Sequence, residues 1–385
     1  MNPWLPRERT QWAALVTGVL ALVACLLLGL FVSAQQTLLS YLFAFLFFTG
    51  LSVGSLALLM VHVLTGGAWG YYIRPALLAA ARALPLMALL AIPVLAGMHV
   101  LYPWAQASEL THDALLRKQT WYLDPTFFVI RTVGYFVIWI GFMAVVGRWV
   151  GNPDRVRVLP RIAAPGLILY GGLTLLASTD WTMSLTPHWH SSVYGMMVAT
   201  GWLLAAAALA TLCAMAMPAS EDAHPPKLLH DLGNLLLMFV LAWSYLAFMQ
   251  YLTVWIADLP DETSWYIPRT LTSWEYLAWF LIAFSFVVPF VLLLSRRAKR
   301  NRAWLAAIAA MLLFANLCDA LWLAVPNFRS GGFALRWTDL CAPLGIGALW
   351  LCVYIGQLRA VRLPAALALG TAPTTSTNPT EQAHG

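Results

Sequence analysis

Charge is what this chain has least of. Only 10% of its 385 residues are Asp, Glu, Lys or Arg, too few to wet the surface of a soluble protein of that length. Cysteine is scarce as well. Cys25, Cys213, Cys318, Cys341 and Cys352 all lie in apolar runs and form neither CxxC nor CxxCH, which removes the usual signatures of iron–sulfur and c-type haem ligation and leaves small buried hydrophobes. Histidine is thin too. A bis-histidine haem needs two imidazoles facing each other at one depth, and only His62 and His230 come near that. His188 and His190, with Asp180, make a weak metal set, being two residues apart with no cysteine nearby. The net charge of +6 is not gathered into a groove-reading motif, so no nucleic-acid partner is expected.

What the chain has in abundance is apolar surface. Hydrophobic residues make up 61% of it, and nineteen Trp with thirteen Tyr suit rings that straddle a water boundary many times. The pattern predicts an all-α, polytopic protein in a lipid bilayer, with about ten spans near 12–32, 41–64, 75–98, 125–146, 162–179, 193–217, 232–256, 274–294, 303–325 and 337–358. Residues 1–362 read as one transmembrane domain and 363–385 as a flexible tail. The first run is longer than the apolar part of a cleaved signal and lacks a small-x-small cut site. A polar break at Gln35 to Ser40 should separate the first two spans, Arg74-Pro75 should open the third, and Pro85 and Pro93 should bend it. Ser191 or Ser192 is a natural N-cap for the sixth span.

The seventh span carries a stripe. Ser244, Phe248, Tyr251, Trp255 and Asp258 share one helical face, and because polar groups in hydrocarbon are expensive the stripe is expected to face other helices. In the ninth span Asp319 sits about one turn short of the boundary implied by Pro326. A carboxyl at that depth must be neutral, paired or in contact with water. Pairing with Arg329 or Arg336 would make it structural. If it exchanges protons instead, Glu275 and Asp180 are its candidate outer neighbours, and His62, His230 and Asp231 are the candidates towards the other face.

With ten spans both ends of the chain lie on one side. That side collects Arg7, Arg9, Arg74, Arg82, Arg148, Arg155, Arg157, Arg161, Lys227, Arg296, Arg297, Lys299, Arg300, Arg302, Arg359 and Arg362, sixteen of the 22 Lys and Arg. The positive-inside rule therefore predicts cytoplasmic termini. The outer loops, above all Asp180 to His190 and Asp258 to Arg269, are rich in Trp and Pro and are expected to contact partner proteins.

Four motifs carry a resemblance: STDWTMSLTPHWHSSVYG from Ser178, HDLGNLL from His230, Trp243-Ser-Tyr245 leading to Phe248, Gln250 and Tyr251, and Trp255 followed by Leu259-Pro260-Asp261-Glu262. In these the chain resembles the ActF-type membrane subunits of bacterial alternative complex III, which are similar in turn to the NrfD and polysulfide-reductase membrane family. Such subunits tend to have Asn-x-Pro-Glu-Glu where this chain has Asp258-Leu-Pro-Asp-Glu. The resemblance implies a scaffold of two four-helix bundles, about 41–180 and 191–325, with a peripheral helix at each end. It also implies a place in a quinol-oxidising respiratory complex of the bacterial inner membrane. Haem c and iron–sulfur clusters would then sit in partner subunits, with no cofactor in this chain, and a nearby quinone site is left open. Two other classes stay in view: a self-sufficient secondary transporter with its substrate between the bundles, and an independent haem protein.

Overall fold

In hydrocarbon the backbone has no water to bond with, so long apolar runs must satisfy their own N–H and C=O groups, and the helix does this within one segment. The computed structural model describes residues 8–106, 113–150, 152, 155, 157–216, 225–329 and 331–360. Arg7, Arg362 and the tail expected at 363–385 lie outside the described residues. Of those described, 85% are helical and none forms a strand, and ten helices are long and apolar enough to cross a membrane. They are α1 (Glu8–Leu27), α2 (Phe31–Thr65), α3 (Ala68–Ala96), α4 (Pro125–Trp149), α5 (Pro160–Leu185), α6 (Tyr194–Ala216), α7 (Pro226–Ala257), α8 (Glu275–Leu294), α9 (Arg302–Ala324) and α10 (Trp337–Ala360).

Helices α2 to α5 pack as one four-helix bundle and α6 to α9 as a second. Helix α2 is the pillar between them: 94% of its apolar window is buried, against 11% for α1. The bundles meet where α2 crosses α6. A Cβ on Gly54 would come 2.2 Å from the Trp202 carbonyl oxygen, and one on Gly50 would come 2.4 Å from the Trp202 ring. This small-xxx-small pair lets two backbones approach as closely as helices in membranes do. Helices α1 and α10 pack on each other, Gly18 against Leu349 and Gly345 against Leu22, and α10 lies along α2, where Trp350 Nε1 donates to Ser52 Oγ at 2.9 Å.

Several helix boundaries differ from expectation for local reasons. The chain reverses at Ser33, the one extended residue (φ −165°, ψ 106°) at the start of α2, so that Gly29 packs against Thr37. Residues 35–40 are therefore helix and not a break. Ser33 Oγ accepts from Gln36 N at 3.4 Å and Thr37 Oγ1 donates back to Ser33 O at 2.9 Å, local bonds that let small polar residues start a helix. The third span begins at Ala68, not at Pro75, because Gly67 (φ 99°) turns the chain sooner. It breaks at Arg82–Ala83 and again at Ala91, and Pro85 and Pro93 each stand in the first turn of the next segment, where a missing N–H costs nothing. In α8 a π-helical stretch, Ile282–Val287, precedes Pro289, a common way to absorb a lost backbone bond.

Side-chain bonds tie both ends of the assembly. At one end Arg74, Arg82, Lys299, Arg302 and Arg359 reach Val150 O, Gln357, Asn234, Met215 O and Gln11. This is the basic end. At the other, acidic end, Arg329 grips Asp339 through two bonds of 2.7 and 2.8 Å, and Tyr102 Oη donates to Trp181 O at 3.1 Å.

Candidate functional site

The α7 stripe turns outward. Phe248, Tyr251, Trp255 and Asp258 are exposed, while Leu232, Gly233, Leu236, Val240, Trp243, Gln250 and Val254 form the packed face. The expectation that the stripe meets other helices of this chain is therefore corrected. In a bilayer an outward aromatic meets lipid at little cost, so what selects the inner face is close fit, as at Gly233, and not apolarity. One polar residue does point inward: Gln250 accepts a hydrogen bond from the hydroxyl of Ser191. Ser191 Oγ also accepts from Val193 N at 3.2 Å, just ahead of α6, the turn chemistry expected of a hydroxyl there.

Between the bundles, towards the acidic end, α9 places Asn316 and Asp319 one turn apart. Asn316 Nδ2 donates to Gly201 O at 3.1 Å and so ties α9 to α6. Asp319 is 7% exposed and has no hydrogen bond or ion pair among the described residues. Pairing with Arg329 or Arg336 does not occur. Arg329 is held by Asp339, ten residues along a tight loop, and Arg336 by Gln36. Asp319 opens instead on a cavity of about 20 Å³, also lined by Leu46, Phe47, Ser178, Thr182, Val198, Gly201, Trp202, Asn316, Ala320 and Leu323. That is room for one water molecule. The hydroxyls of Ser178 and Thr182 donate to carbonyls of their own helix, which leaves their lone pairs facing outward as acceptors.

Above the cavity the loops around residues 186–193 and 258–274 fold onto each other. Trp189 stacks on Trp265 at 4.8 Å and 17°, and the buried Tyr194 meets both rings edge-on. The Tyr194 hydroxyl lies beside Thr182 and within electrostatic reach of Arg269 and Asp319. Arg269 is 1% exposed with no carboxylate partner among the described residues. Its guanidinium donates to the carbonyls of Trp265, Trp322 and Leu323 and to Asn327, and it sits 3.4 Å from the Trp265 ring centre. A cation over the last carbonyls of α9 matches the negative end of that helix. Burial pushes the pKa of the guanidinium down to about 9, which leaves it charged at neutral pH. The tryptophans expected as partner anchors are thus largely enclosed: Trp189 is 2% and Trp265 4% exposed.

The other sequence candidates are placed apart from this cavity. Asp180 is fully buried and faces α4, where Arg131 forks onto it through two bonds of 2.9 Å and Tyr135 Oη donates at 2.6 Å. Arg131 also bonds Tyr122 O and lies 4.0 Å from the Tyr122 ring centre. Burial, reinforced by the charge of Asp180, pushes the Tyr122 hydroxyl up. Glu275 is exposed at the start of α8. His62 contacts the Gly67 carbonyl at 3.2 Å and packs edge-on to Trp69 and Tyr71, so tightly that a Cβ on Gly70 would fall 1.7 Å from its ring. His230 and Asp231 are half-buried near the start of α7, at the basic end. His188 pairs with Asp113 at 2.6 Å rather than with His190, and among the described residues no three His, Cys, Asp or Glu side chains converge. Sequence reasoning missed Tyr194, Ser178, Thr182 and Arg269. The i, i+4 spacing of Ser178 and Thr182 across Asp180 was the available signal, since it puts two hydroxyls on a face the carboxylate does not share.

Fold and site together define a multi-pass membrane protein with a buried, unpaired carboxyl between two helical bundles. No family model matches the chain, and no curated protein matches it closely enough to count as a relative.

Proposed function

We propose that this chain is a membrane subunit of a quinol-oxidising electron-transfer complex, similar to the ActF-type subunits of alternative complex III. The observation that carries the reading is a convergence. Two of the resembling motifs meet at the acidic end: the Ser191 hydroxyl of the first donates to Gln250 of the third, beside the packed rings of Trp189 and Tyr194. On this reading the acidic end faces outward in a bacterial cytoplasmic membrane, where partner subunits carry haem c and iron–sulfur centres. The sixteen basic residues of the opposite end hold both termini in the cytoplasm. The chain then acts chiefly as a scaffold, and Asp319 supplies a proton-exchanging group, the usual work of an acid held inside a membrane.

Purification from native membranes in mild detergent, with subunit identification and an optical spectrum, tests the reading. Co-isolation with c-haem and iron–sulfur proteins is expected. Isolation of the chain alone would count against it. A specific observation bears on a second reading: the one-water cavity beside Asp319 lies between the bundles, where secondary transporters bind substrate. Solute uptake by vesicles holding only this chain would select the transporter.

A further inference from the structure

The turn between α8 and α9 carries a cationic surface that the scaffold itself does not use. Residues Arg296–Arg300 form a short helix, with Ser295 Oγ accepting from Ala298 N at 3.4 Å, and Asn301 caps the start of α9 through Ala303 N and Trp304 N at 2.9 and 3.1 Å. Two cations strap this turn to its neighbours. Lys299, 6% exposed, donates from Nζ to Asn234 Oδ1 on α7 at 2.6 Å, and its stem lies where a Cβ on Gly233 would come within 2.7 Å. On the other side Arg302 Nε donates to Met215 O at the end of α6 at 2.6 Å.

With the turn fixed, Arg296, Arg297 and Arg300 are exposed, and no hydrogen bond or ion pair reaches them among the described residues. At 100° per residue they fall within an arc of about 100°, away from the lysine. Leu294 and Trp304 flank them, 58% and 53% exposed, at the ends of two membrane-spanning helices. Cations that project past such apolar ends lie at the depth of lipid headgroups.

We infer that Arg296, Arg297 and Arg300 form a binding site for the headgroup of an anionic glycerophospholipid, whose acyl chains run along Leu294 and Trp304. Charge complementarity supplies the headgroup contact, since guanidinium forks match phosphate oxygens in pairs. The bordering apolar side chains favour a lipid over a soluble polyanion, which would meet the arginines and leave Leu294 and Trp304 uncovered. The site does not depend on the respiratory reading.

The test titrates the purified full chain in neutral detergent with phosphatidylglycerol or phosphatidylcholine and counts bound lipid by native mass spectrometry. Unmodified protein is expected to bind phosphatidylglycerol at least about tenfold more tightly than phosphatidylcholine, and equal binding would overturn the inference. The triple substitution R296Q, R297Q, R300Q should weaken phosphatidylglycerol about a hundredfold, from the known contribution of each cation near an anionic surface, with phosphatidylcholine unchanged. Unchanged phosphatidylglycerol binding in that variant would also overturn it. The charge-matched triple R155Q, R157Q, R161Q should weaken binding by less than about threefold, and equal weakening by both triples would replace the site with diffuse attraction. Complete displacement of the lipid by millimolar inorganic phosphate would show a phosphate site in which the chains play no part.

Discussion

The sharpest quantitative expectation concerns Arg131 and Asp180, which bind α4 to α5. Asp180 is fully buried and the Arg131 side chain is 8% exposed, with two bonds of 2.9 Å between them. Removing one partner of such a pair leaves a charge without its counterion, at a cost of about 3–5 kcal/mol. The two single substitutions are not equivalent. Asp180→Asn leaves a cation that still stacks over Tyr122 and Phe127 and bonds Tyr122 O, so its cost belongs near the lower bound, about 3 kcal/mol. Arg131→Met leaves a carboxylate whose remaining donor is Tyr135. Its cost belongs near about 5 kcal/mol unless the carboxyl takes up a proton. The double variant Arg131→Met/Asp180→Leu removes both charges and should cost no more than about 2 kcal/mol, where independent losses would sum to about 8, a coupling of about 6 kcal/mol. Unfolding by increasing SDS in mixed micelles, followed by tryptophan fluorescence, reads all four proteins. Single variants within about 1 kcal/mol of the parent, or a double variant no better than Arg131→Met, would refute the claim that charge pairing, and not shape, holds α4 to α5.

Three further outcomes follow from the same geometry. Asp319→Asn keeps the size of a side chain that has no ionic partner, so assembly and thermal stability should match the parent, while vesicles holding the assembled complex should move fewer protons per electron; lost assembly would instead point to a structural partner for Asp319. Gly54→Val places methyl groups where Trp202 O stands 2.2 Å from any Cβ, and overpacking there should cost at least about 1–3 kcal/mol in the SDS assay, whereas a neutral result would mean that the bundles do not touch at α2 and α6. Among the described residues Asp258 is the one non-glycine residue with positive φ, at 46°, so Asp258→Gly should be neutral or stabilising, by up to about 1 kcal/mol, and a loss above that would assign the carboxylate a contact.

The ten spans were legible because uninterrupted apolar runs admit few structures, and the boundaries failed where local chemistry overrode the run. Residues 35–40 read as a break because Gln, Thr and Ser favour loops, yet Ser33 and Thr37 bond the backbone and begin the helix there. Periodicity identified a real stripe on α7 but assigned it to the wrong side. In water, burial selects for apolarity, whereas a bilayer accepts Phe248 and Trp255 on the outside and reserves the inside for fit. The depth of Asp319 was readable from Pro326. Its lack of a partner was not, because Arg329 is claimed by Asp339 through a turn at Gly332 (φ 96°) whose geometry no spacing rule encodes.

The measurement that reaches the central proposal most directly is quinol-dependent reduction of an electron acceptor by membranes from cells that lack this chain. The account predicts that the activity and the haem-bearing partners are lost together, that both return with the intact chain, and that Asp319→Asn restores electron transfer while its proton yield stays low. Undiminished quinol oxidation in membranes without the chain, with every partner still assembled, would contradict it.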